Sequence, residues 1–96
     1  MNAKQLKRAR RKLETLRRRS ANLRSHELCS YAKALGRSRD TKRGKEPTYI
    51  SEFLPFSRPI SIPDHPGALN RFTAENILDQ LEQDIFILEE MLPDEE

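Results

Sequence analysis

The feature that most restricts how this chain can fold is the division of its charge. Residues 1–45 hold sixteen Lys and Arg against Glu14, Glu27 and Asp40, a net +13, whereas residues 46–96 hold Arg58 and Arg71 against twelve carboxylates, a net −10. The two halves sum to the overall +3. Such asymmetry suggests a polyanion partner for the basic half. The alternative is that the halves neutralise each other, but surface ion pairs are individually weak and do not require this many arginines.

The division falls on two helical patterns, one at each end. A helix is expected over about Lys4–Leu23, where Leu6, Leu13 and Ser20 occupy one heptad-like position and Ala9, Leu16 and Leu23 the other. Its flanks, including Arg10, Lys12, Arg17, Arg19 and Arg24, are basic, so pairing with a copy of itself would set like charges side by side. An acidic helix is the better neighbour. The C-terminal pattern supplies one: Ala74, Ile77, Leu78, Leu81, Ile85, Leu88 and Leu92 form an apolar stripe, and Glu75, Asp79, Glu82, Asp84, Glu89 and Glu90 are distributed over the rest. Asn70 or Thr73 is its expected cap.

Between these lies a shorter helix starting at Ser25 as N-cap, with Glu27 in its first turn, Leu28, Tyr31, Ala32 and Leu35 on one face and Gly36 as C-terminal cap. Three strands follow, Arg37–Lys42, Thr48–Phe53 and Arg58–Ile62, with a turn at Arg43 and Gly44 and with Pro47, Pro55, Pro59 and Pro63 keeping the pieces short. In the second strand Tyr49, Ser51 and Phe53 share a face; in the third Ile60 and Ile62 do. Tyr31, Tyr49, Phe53 and Phe56 are read as core residues rather than base-stacking ones. The order predicts an α+β sandwich with the sheet covered by helices.

Ninety-six residues suffice for one domain. Charged and hydrophobic residues are nearly balanced, at 34% and 35%, which would permit disorder; the periodic apolar positions argue instead for a folded domain from about residue 25 onward. No apolar run is long enough to span a bilayer, and the N-terminus lacks the apolar stretch of a secretory signal, so a cytoplasmic protein without membrane association is expected. The lone Cys29 fits a reducing compartment. His26 and Cys29 have an H-x-x-C spacing with no second pair, so no metal or other cofactor is expected.

Helix, three-stranded meander, helix is the order of the double-stranded-RNA-binding fold. From Ser25 onward the chain also resembles the HicA toxins of bacterial toxin–antitoxin systems, small mRNA interferases with that fold. The likeness rests on the short first amphipathic helix, Gly44 at the turn into the second strand, the segment Ile60-Ser-Ile-Pro-Asp-His-Pro66, and Thr73–Leu81 as the closing helix. It covers about 70 of the 96 residues, and the order of the motifs carries more than any one of them. The expected plan is therefore a basic helical extension (1–24), a HicA-like domain (25–92) and an acidic tail (93–96). The resemblance implies RNA as ligand and a HicB-like antitoxin as protein partner.

The departure from the family lies where its catalytic histidine closely follows the glycine. Here the stretch reads Gly44-Lys45-Glu46-Pro47, and there is no histidine between His26 and His65. Metal-independent RNA cleavage needs a base for the 2′-hydroxyl proton, an acid for the departing oxygen and cations for the phosphorus. Glu46 as base, His65 as acid, and Arg37, Arg39, Lys42, Arg43 and Lys45, with Gly44 in the turn, form the candidate set. Two alternatives stand beside a nuclease: a nucleic-acid-binding module without activity, and an interaction protein docking its basic helix on an acidic partner.

Overall fold

Asn2 starts the first helix. Its side chain accepts the Gln5 N–H at 2.8 Å and the Gln5 side chain accepts the Asn2 N–H at 2.9 Å, so two otherwise orphaned donors are satisfied reciprocally. Helix α1 runs from Ala3 to Arg18, α2 from Ser25 to Ala34 and α3 from Arg71 to Glu90; strands β1 (Arg37–Arg39), β2 (Thr48–Ser51) and β3 (Ile60–Ser61) form one antiparallel sheet in the order β1-β2-β3. The computed structural model describes residues 1–40 and 47–92.

All six heptad positions of the first pattern are buried, including Leu6, Leu13 and Leu16 on α1 and Ser20 and Leu23 beyond it. The expected helix to Leu23 nevertheless stops at Arg18 and gives way to a 3₁₀ turn, Ser20–Asn22. Tertiary bonds compete there: the Leu23 carbonyl accepts the Leu69 N–H at 2.7 Å, and the Ser20 hydroxyl lies 3.2 Å from the Glu75 carboxylate. Helix α2 starts at Ser25 itself, with Arg24 as N-cap and Glu27 accepting the Arg24 N–H at 2.9 Å. Asn70 caps α3 by accepting the Phe72 N–H at 2.8 Å.

The core is a single cluster to which α1, α2, the sheet and α3 all contribute. Helix α1 packs along α3, while α2 meets β1 and α3 meets β3. The Tyr31 hydroxyl donates to the Ala9 carbonyl at 2.6 Å and ties α2 to α1. Residues 1–24 thus build one wall of the core that residues 25–92 share.

Charge pairing follows this packing. Arg10 makes a two-pronged bond to Glu89, and Arg17 reaches Asp79 at 2.8 Å and Glu82 at 3.2 Å. The acidic helix is therefore the neighbour of the basic one. Its hydrogen bonds from Arg10 hold the Glu89 carboxyl below the usual carboxylate range, and the Arg24 N–H, helped by Arg19, does the same for Glu27. A carboxylate whose folded pKa is depressed stabilises the fold above its unfolded pKa of about 4.3 and loses that contribution as pH falls through the folded value. Thermal unfolding followed by circular dichroism is accordingly expected to show Tm dropping below about pH 4, with a shallower drop in Glu89→Gln; the pair contributes about 0.2–1 kcal/mol.

The strands are shorter than the sequence pattern predicts, and faces shift where they end. β2 stops at Ser51, whose hydroxyl accepts the Leu54 N–H at 3.0 Å while the Glu52 N–H goes to the Gly36 carbonyl at 2.9 Å. That turn sends Leu54 inward and Phe53 outward, so Phe53 (44% exposed) and Phe56 (fully exposed) leave the core to Tyr31 and Tyr49. Phe53 lies over Gly36, which has φ +91° and where a Cβ would fall within the ring; only glycine fits both conditions. β3 is confined to two residues after Pro59, which has no N–H to add to the ladder.

Candidate nucleic-acid interface

The sheet gathers two of the segments singled out above at one of its ends. β1 runs out at Arg39 and β2 begins at Thr48, with the Asp40 N–H donating to the Thr48 carbonyl at 2.7 Å, so the connection across residues 41–46 starts and finishes there. Because β3 is antiparallel to β2, Ser61 pairs with Thr48 and the Ile62 N–H reaches the Pro47 carbonyl at 3.0 Å. The loop that follows, carrying Asp64 and His65, leaves the sheet beside Pro47 and Thr48. Lys42, Arg43, Gly44, Lys45 and Glu46 themselves lie outside the described residues.

Arg39 projects at this end, half exposed, and pairs with Asp64 at 3.7 Å. Asp64, His65 and Pro66 face Ser25, His26 and Cys29 of α2 across a hollow of about 440 Å³. Behind it the Tyr49 hydroxyl donates to the Cys29 sulfur at 3.1 Å. Burial, and then the bond to Cys29, push the Tyr49 phenol up to about 12, so it stays neutral at physiological pH. Among the described residues no three His, Cys, Asp or Glu side chains are grouped to hold a metal ion.

His65 is exposed and sits in a tight local turn. Its Nδ1 lies 3.2 Å from both the N–H and the carbonyl of Gly67. The tautomer without a proton on Nδ1 accepts the Gly67 N–H there, and the tautomer with Nδ1–H donates to the Gly67 oxygen. In either form Nε2 has no partner among the described residues and is open to a ligand.

Arg37 belongs elsewhere. Expected to face a nucleic acid, it is instead buried, with its side chain 2% exposed. Its Nε and Nη2 donate to Asp84 at 2.6 and 2.9 Å, and Nη1 donates to the carbonyls of Tyr49 at 2.9 Å and Arg58 at 3.1 Å. Asp84 likewise leaves the outer face predicted for it and points into the core. A buried guanidinium is tolerable only when its donors are satisfied, and the fold spends this arginine on joining β1, β2 and the segment before β3 to α3.

Beside this pair, the 54–58 segment and α3 enclose a second, more apolar cleft of about 640 Å³, bordered by Phe56, Ile87 and Met91. No residue pattern points to this cleft, because it depends on how an irregular segment folds back against a helix.

Among the described residues the fold is mixed α+β, with three α-helices and a three-stranded antiparallel sheet. Comparison with protein-family models, with curated proteins and with solved structures finds no match. Among the described residues no helix is long and apolar enough to cross a membrane.

Proposed function

We propose that this chain is an RNA-binding protein of the HicA type with a double-stranded-RNA-binding-like core, that Arg39 and the cationic segment Lys42–Lys45 hold RNA phosphates, and that a HicB-like antitoxin is its protein partner in the cytoplasm. The observation that supports it best is the topology: the strand order gathers the two residues that bound the 41–46 connection, Arg39 and the His65 loop at one end of the sheet. Cations held beside a proton donor are what phosphodiester chemistry requires. In this reading Glu46 takes the 2′-hydroxyl proton and His65 protonates the departing 5′-oxygen, without a metal. One observation favours an inactive binding module in its place: Arg39 occupies Asp64, and among the described residues the His65 ring bonds only to the backbone of Gly67. Docking of the basic helix on an acidic partner is the weaker reading, since Arg10 and Arg17 already meet carboxylates within the chain.

Fluorescence anisotropy with a labelled single-stranded RNA at several salt concentrations tests the binding. Affinity is expected to fall steeply with salt, and the Lys42→Ala/Arg43→Ala/Lys45→Ala variant should show a slope shallower by about 2, from about 0.7 per lost phosphate contact. Failure to bind at low salt would end the RNA reading. Cleavage of the same RNA in the presence of EDTA should drop about 10²–10⁴-fold in Glu46→Gln and in His65→Ala; undiminished cleavage in both removes the roles assigned to them.

A further inference from the structure

Packing divides the cations of α1 into two groups with different fates. Arg10 and Arg17 flank the buried stripe and are neutralised by Glu89, Asp79 and Glu82 of α3. Lys4, Lys7, Arg8, Arg11, Lys12 and Arg18 are all exposed, and no ion pair joins any of them to another described residue. At 100° per residue, Lys4, Arg11 and Arg18 form a line opposite Leu6, Ala9, Leu13 and Leu16, with Lys7, Arg8 and Lys12 to either side. The only carboxylate on the helix is Glu14. The result is a straight cationic ridge of about 21 Å, fourteen residues at 1.5 Å each.

This ridge carries a cost that the fold leaves in place. Lys4 and Arg8, Lys7 and Arg11, and Arg8 and Lys12 are like charges at i,i+4, an arrangement that weakens a helix. An external polyanion removes the repulsion. The ridge contains no aromatic or large apolar side chain, so it has nothing with which to stack on bases or to enter a bilayer; the apolar face of α1 is already in the core. What remains is recognition of a regularly charged backbone by charge alone.

We propose that the outer face of α1 is a second RNA-binding surface, which holds the phosphate backbone without regard to sequence and acts in addition to the site at the end of the sheet. The inference rests on the RNA-binding reading above and adds a separate set of residues to it. The ridge supplies most of the nonspecific affinity, and the sheet edge positions the strand.

The test uses the full chain with all six ridge cations changed to Gln, a good helix former, and a fluorescein-labelled oligouridylate as probe. Affinity at low salt should fall at least about a hundredfold, and the slope of log K against log salt should become shallower by about 4, at about 0.7 per contact. Arg10→Gln, which removes an inward cation, should change the slope by less than about 1. Tm of the six-fold variant should equal or exceed that of the parent, because repulsion has been relieved. A steep slope retained by the variant overturns the inference while leaving the sheet-edge site intact. So does a fall in Tm without a change in slope, which would make the ridge structural. Ridge-dependent binding to polyglutamate or to phosphatidylserine vesicles that matches or exceeds binding to RNA would also overturn it. If the parent itself fails to bind RNA, the underlying reading fails as well.

Discussion

Replacing Asp84 by Leu is expected to destabilise the protein by about 3–5 kcal/mol, because it leaves the Arg37 guanidinium buried without its counter-charge. The Arg37 side chain is 2% exposed and that of Asp84 3%, so water cannot take the place of the lost partner. Arg37→Met should cost a comparable amount, since it strands Asp84 and also orphans the carbonyls of Tyr49 and Arg58. The double variant should cost much less than the sum of the two, because a buried ion pair replaced by apolar side chains of similar volume is often close to neutral. Urea unfolding of the four proteins gives the coupling directly. A loss below about 1 kcal/mol for Asp84→Leu would mean that solvent reaches the pair. In the proposed function the buried Arg37 does not face RNA, so the affinity measured for the double variant should match that of the parent.

Deletion of residues 1–24 has the second large effect: the remaining chain is expected to lose cooperative unfolding altogether. The deletion removes Leu6, Ala9, Leu13, Leu16 and Leu23 from the core. A single buried Leu→Ala change costs about 2–5 kcal/mol and a whole domain holds about 5–15 kcal/mol, so losing this wall exceeds what the rest supplies. It also uncovers the part of α3 on which α1 packs and strips Asp79, Glu82 and Glu89 of their arginines. Circular dichroism against temperature, with Leu13→Ala as the milder companion, checks it. A sharp transition in the shortened chain would show that residues 25–92 fold without α1.

Much of the fold was legible because periodicity reports burial. The six heptad positions of the first pattern, the stripe on α3 from Ala74 to Leu88 and the shared face of Ile60 and Ile62 are all buried, while Leu92, past the end of the helix, is only partly so. The match between a basic and an acidic helix was legible in the charges. The position of Asp84 is itself a signal: it stands among Leu81, Ile85 and Leu88 at the spacing of the stripe, and a carboxylate at a core position requires a buried cation. Arg37 carried no such signal, because in a short strand beside other basic residues it is indistinguishable from a surface cation. Phe53 and Phe56 are core residues by type alone, and only the turn at Ser51 and Leu54 explains why they are outside it.

For the candidate site, the sequence supplied the residue types, and the strand order supplied their proximity. Arg39 and Asp64 are 25 positions apart, and nothing local joins them; the antiparallel register of β2 with both neighbours does. The same holds for the basic half as a whole. Composition determined that the chain carries a large excess of positive charge at its N-terminal side and negative charge at its C-terminal side. Only the packing of α1 on α3 decided which cations are spent on the fold and which stay outside, because a charge is neutralised by whatever lies within a few ångströms of it, and distance is a property of the folded chain.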